Sequence, residues 1–163
     1  MPSTTSSSVT RRQRLSDAAR RFCDDFAHNQ TVDTLITHFS DACEVFEHGL
    51  SRFAPFLGTP FTGHDGVRSY FDTVAALITY ADMHFSEYIV DDVVGKVSVK
   101  GRATFTWIAT HESWDETFAY VLDFDDQNKI ACYQIWGDTG ALHLASKGHL
   151  GGVSRSDLIF VHC

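Results

Sequence analysis

The spacing of apolar residues changes once along this chain, and that change limits the possible folds more than any other feature. Up to residue 78 the apolar positions recur at helical spacing. Leu15, Ala18, Ala19, Phe22 and Phe26 form one stripe, Val32, Leu35, Ile36 and Phe39 a second, and Val67, Tyr70, Phe71, Val74, Leu77 and Ile78 a third. Beyond that point the period drops to two. Segments 84–92, 96–109, 117–125 and 130–137 alternate and are rich in Val, Thr, Phe, Tyr and Trp, the residue types that pack well on a pleated surface. Three helices leading into four closely connected strands predict an α+β domain, its helices laid over one face of a long antiparallel sheet.

Punctuation residues support these boundaries. Thr31 is placed to cap the second helix, with Asp33 in its first turn to complement the helix dipole. Gly95 and Asn128 suit the turns between strands, and 43–48 reads as a short strand. Residues 49–63 are broken by Pro and Gly and predict a long loop, whose three phenylalanines should fold back over something apolar. The expected layout is a disordered tail over 1–10, one domain over 11–147 and a C-terminal tail over 148–163, within which 158–161 could add a pairing edge.

The chain has 163 residues, 44% of them hydrophobic, enough for one core without a disulfide or structural metal. Its net charge is −8. Because five arginines sit among the first 21 residues, the remaining body holds eight basic against 20 acidic groups. Such a surface repels phosphate backbones, so nucleic acid is not an expected partner. No stretch reaches the roughly 20 apolar residues of a membrane span, and the N-terminus has no signal-peptide core, so no membrane association and a cytoplasmic location are expected. Cys23, Cys43, Cys132 and Cys163 form no CxxC pair and read as reduced thiols. Neither HExxH nor a phosphate-cradling glycine motif occurs, so neither metal nor cofactor is expected.

Alternation places Val97, Val99, Ala103, Phe105 and Trp107 on one face of their strand, and Phe118, Tyr120, Leu122 and Phe124 on one face of the next. This aromatic volume exceeds what three helices need for cover, which predicts a pocket between helices and sheet. Candidate lining residues are Phe22, Phe26, Phe53, Phe56, Tyr70, Trp107, Phe118 and Trp136, although ordinary core packing is the alternative for each.

The element order, together with FSDACEVFEH (39–48), FTGHDGVRSYF (61–71) and NKIACYQIWGDTGAL (128–142), resembles the nuclear-transport-factor-2-like superfamily and its SnoaL-like small-molecule branch, over about residues 12–145. The resemblance implies a cone-shaped α+β barrel with three N-terminal helices packed on a curved antiparallel sheet, and a homodimer formed through the exposed sheet face. Ketosteroid isomerases, scytalone dehydratases, polyketide cyclases and non-catalytic binding domains share this architecture, so the fold by itself selects no function.

Residue by residue, Glu47 falls where the isomerases carry their proton-shuttling carboxylate, and burial there would raise its pKa towards neutrality. Tyr120 matches their oxyanion-stabilising position; a tyrosine bonded to a core carbonyl is the alternative. His84 resembles a catalytic histidine of scytalone dehydratase. Asp138 lies near the acid–base aspartate of the cyclases, or else closes a turn. His48 should face away from Glu47. Together these residues imply a cofactor-independent dehydratase, isomerase or cyclase acting by general acid–base catalysis on a hydrophobic polyketide, aromatic or terpenoid intermediate; the alternative is a non-catalytic binding or dimerisation module.

Overall fold

The computed structural model describes residues 9–152. Of the predicted tails at 1–10 and 148–163, residues 1–8 and 153–163 lie outside the described residues, as do the pairing edge at 158–161 and Cys163; Leu150–Gly152 form one turn of 3-10 helix, and the Leu150 amide donates to Glu112 at 2.8 Å. Of the three described cysteines, Cys23 and Cys43 are buried, Cys132 is half-buried, and all are free thiols.

The first apolar stripe becomes α1 (Arg11–Ala27), capped by Thr10, whose side chain accepts from the Gln13 amide at 3.1 Å, and burying Leu15, Ala18, Ala19, Phe22 and Cys23. The second becomes a short helix, α2 (Val32–Ile36), with Thr31 as its cap. The strand that follows, β1 (Phe39–His48), starts four residues earlier than alternation indicated, because a register irregularity between Phe39 and Glu44 hides its first part. After the loop come β2 (Phe61–Thr62), α3 (Gly63–Leu77), β3 (Ile78–Asp91), β4 (Lys96–Trp107), β5 (Glu112–Phe124), β6 (Ile130–Trp136) and α4 (Thr139–Ser146). Gly95 and Asn128 turn the chain with φ of 74° and 57°.

The expected α+β cone forms, with the strands in one six-stranded sheet of order β2-β1-β6-β5-β4-β3. The four strands β3 to β6 pair in succession antiparallel, as expected, but β1 and β6 run parallel, so the sheet is mixed. This pairing joins the first strand to the last, a link that adjacency in sequence cannot show. On β4 and β5 the inward sets are those that alternation gives: Val97, Val99, Ala103 and Trp107 are buried, as are Phe118, Tyr120, Leu122 and Phe124.

β3 behaves differently. Its register against β4 shifts between Ala81 and His84 and again between Ser86 and Ile89, with Asp82 and Glu87 at φ of 53° and 54°. Each bulge inserts a residue and exchanges the two faces, so the inward positions run Ile78, Tyr80, then Met83, Phe85, then Tyr88, Val90. The bends also let this 14-residue strand coil around the cone.

The long loop folds back as its phenylalanines predicted. Ala54, Phe56 and Leu57 are buried, and the Gly58 amide donates to the Glu47 carbonyl at 2.8 Å, fastening the loop beside the end of β1.

Candidate active site

A pocket opens inside the cone, with about 670 Å³ of unfilled space, part of it open to solvent at the mouth. Helices α1 and α3 supply Phe26, Tyr70, Phe71 and Val74; the loop supplies Phe56; β5 supplies Trp114, Glu116, Phe118 and Tyr120; β6 supplies Tyr133 and Ile135; and the segment into α4 supplies Gly137, Asp138, Thr139 and Leu142. Most of the wall is aromatic ring.

Glu47 is the last inward residue of β1, since Cys43, Val45 and Glu47 share parity. The Tyr70 hydroxyl donates to its Oε2 at 2.5 Å, and among the described residues no other group hydrogen-bonds this carboxyl. No cation faces it. Burial is the largest influence and pushes the pKa up from 4.5 to about 7; the bond from Tyr70 opposes the rise and the charge of Glu116 adds to it. His48 points to the other face of the sheet, as alternation required, where it stacks on Trp136 at 4.1 Å and bonds Gln134.

Tyr120 and Tyr133 line the same pocket as Glu47, their ring centroids 4.8 Å apart. Burial holds Tyr70, Tyr120 and Tyr133 well above the ordinary phenol range, so all three stay protonated and able to donate. Tyr80 also lines the pocket, but its hydroxyl is committed to the Phe26 carbonyl at 2.6 Å, where it satisfies the end of α1.

The wall therefore unites Glu47, Tyr120 and Asp138 with Phe26, Phe56, Tyr70 and Phe118. The remaining expected site residues do not line it. His84 is exposed, because the bulge at Asp82 exchanges the faces of β3. Phe22 is fully buried in the core, edge-on to Phe39 and Tyr133. Trp107, at the far end of β4, is buried but off the wall. Phe53 stacks on His143 of α4 at 4.3 Å. Trp136 is 41% exposed on the outer face, since β6 turns Tyr133 and Ile135 inward instead.

Asp138 serves as a cap. Its Oδ1 accepts from the Ala141 amide at 2.9 Å and starts α4, the turn-closing alternative. Asp138→Asn, which can still accept that bond, should leave stability nearly unchanged, whereas Asp138→Ala should cost about 1 kcal/mol in urea unfolding. Equal losses in the two variants would contradict the capping role.

Glu116 was not anticipated from sequence. It shares parity with Phe118 and Tyr120, and extending that alternation two residues upstream would have found it; the predicted strand began at residue 117, whereas β5 begins at Glu112. Its Oε2 accepts from the Trp114 indole at 2.6 Å and its Oε1 from the Asp138 amide at 2.9 Å. A Cβ at Gly137 would lie 2.5 Å from Oε1, so a side chain there would make this carboxylate shift from its place. Burial raises the pKa of Glu116, against the bonds from Trp114 and Asp138.

No family model and no curated protein matches the sequence. Solved structures do share its fold. An NTF2-like protein of unknown function from Burkholderia pseudomallei K96243 is 16% identical, with a TM-score of 0.71 over 81% of this chain and 96% of that one. The BvnE pinacolase from Penicillium brevicompactum is 16% identical, with a TM-score of 0.67 over 89% and 100%. TerC, co-crystallized with polyporic acid, is 17% identical, with a TM-score of 0.70 over 82% and 98%.

Proposed function

From the nuclear-transport-factor-2-like fold of this chain and the carboxylate inside its cone, we propose that the protein is a lyase or isomerase that moves protons with its own side chains on an apolar, ring-bearing substrate of the polyketide, aromatic or terpenoid kind. The observation that carries this reading is Glu47: a carboxyl on an aromatic wall, bonded only by Tyr70 and poised near neutral pH. A general base works best when its pKa lies close to the ambient pH. The pinacolase that shares the fold supports a rearranging or eliminating chemistry for such a cone.

The geometry supports one division of labour. Ionised Glu47 takes a proton from carbon next to a substrate carbonyl. Tyr120, kept protonated by burial, donates to the carbonyl oxygen and stabilises the charge gathering there. In a dehydration, protonated Glu47 then returns its proton to the departing hydroxyl, the C–O bond breaks, and water leaves with the carboxylate restored. In an isomerisation the proton returns to a different carbon. Tyr70 positions the carboxyl throughout. His84, exposed on β3, has no part in this scheme. Assembly as a homodimer through the outer sheet face, where Trp136 is exposed, belongs to the same reading.

A neutral reporter of general-base catalysis tests it: 5-nitrobenzisoxazole, which opens to a coloured cyanophenolate once its C–H proton is removed. The rate should rise with pH through an inflection near 7. Glu47→Gln should lower it by roughly 10²–10⁴-fold while the probe still binds. If that variant keeps the rate, Glu47 is not the base; if the protein adds nothing to the buffer reaction, the pocket is a binding site without catalysis.

A further inference from the structure

The wall of the pocket is one-sided in charge. It holds Glu47, Glu116 and Asp138, and among the described residues none that lines it is Lys, Arg or His. The rest is largely the faces and edges of Phe, Tyr and Trp rings, whose π clouds also favour positive charge. Glu116 is held at the wall by three independent features, the Trp114 indole, the Asp138 amide and the space left by Gly137, none of which neutralises its charge. Low-dielectric walls concentrate such a field within the cavity.

We infer that this pocket selects its ligand by charge, admitting neutral or cationic molecules and rejecting carboxylates and phosphates, with Glu116 as the residue fixed in place to enforce the rejection. The inference rests on the reading of this pocket as the substrate site. An anionic ligand would lose its hydration shell here and meet like charge with no cation to compensate it, a penalty that discriminates by repulsion. A neutral ligand bearing hydroxyl groups would instead find a donor in Tyr120 and acceptors in the two glutamates. The substrate class then narrows to uncharged or amine-bearing polycyclic molecules, and free-acid intermediates and phosphate esters drop out.

Three probes of one shape decide the matter: 1-naphthylmethylamine, 1-naphthalenemethanol and 1-naphthoic acid, titrated against the full chain by calorimetry at about pH 8, above the value to which burial lifts Glu47. The amine and the alcohol should each bind at least about tenfold tighter than the acid. In Glu116→Gln the gap between alcohol and acid should shrink, and in Glu47→Gln/Glu116→Gln it should close to within about threefold. Should the double variant fold poorly, the alcohol-to-acid ratio in Glu116→Gln against the parent protein carries the same decision. Equal binding of all three probes, a preference for the acid, or no binding at all overturns the inference. Because the readout is affinity, each of those results leaves the Glu47-dependent turnover test of the catalytic reading standing on its own.

Discussion

Glu47→Gln should make the protein more stable at alkaline pH even as it removes the proposed base. In the unfolded chain this carboxyl titrates near 4.5, and in the folded pocket it titrates near 7. Between those values the folded state binds more protons than the unfolded state, so the contribution of Glu47 to stability falls as pH rises through that window, and the full penalty is present above it. The shift corresponds to about 3 kcal/mol at pH 8.5 and to little at pH 5 or below. Gln resembles the protonated carboxyl in shape and carries no charge, so it escapes the penalty. Urea unfolding of the two proteins at pH 5 and pH 8.5 is the measurement. The expected result is near-equal stability at the lower pH and a clear advantage for the variant at the higher one. A variant that is less stable at pH 8.5 would mean that the carboxylate is solvated or partnered, and the argument for a raised pKa would go with it.

Two further variants separate the influences on this group. Tyr70→Phe removes the bond that favours the ionised form, so the inflection of the rate profile should move up. Glu116→Gln removes a like charge, so it should move down. Opposite displacements from two residues on the same wall would be hard to produce by a general loosening of the fold.

Much of this site was legible in the sequence because strands β4 and β5 keep strict alternation, and a period of two carries its own orientation. Tyr120 and Phe118 followed from that rule, and Glu47 followed from its place at the end of β1, where the resemblance put a carboxylate. His84 failed for a physical reason: two bulges reverse the faces of β3, and the residues that mark them, Asp82 and Glu87, are neither Gly nor Asn and give no turn signal. Trp136 and Trp107 were attractive as large rings, but ring size does not set facing; the parity of β6 sends Tyr133 inward and Trp136 out. The parallel pairing of β1 with β6 and the short helix α4 depend on contacts made only after the cone closes. Glu116 was readable in principle, since the alternation that revealed Tyr120 reaches it four residues earlier.

A large structural effect belongs to Gly101. It lies opposite Phe118 in the β4–β5 ladder and opposite Phe85 across β3–β4, and the Phe118 ring covers the space a side chain would need: a Cβ at Gly101 would fall 2.1 Å from Phe118 Cε2. The ring cannot retreat easily, because Phe85, Phe105 and Tyr120 surround it at centroid distances of 5.9, 5.8 and 5.1 Å. Its remaining route is into the pocket. Gly101→Ala should therefore cost about 1–3 kcal/mol through overpacking and weaken binding of a neutral naphthalene probe as the ring invades the cavity. Phe118→Ala should cost about 3–5 kcal/mol through the cavity it opens. The double variant should lose less than the sum by at least about 1 kcal/mol, since the new methyl occupies space that the ring has vacated. If the two losses simply add, the ring does not lie over the glycine and the wall of the pocket is built differently. If they compensate as expected, the glycine and the phenylalanine act as one unit, with the absent side chain on β4 allowing the ring on β5 to lie flat and keep the cone open for a ligand.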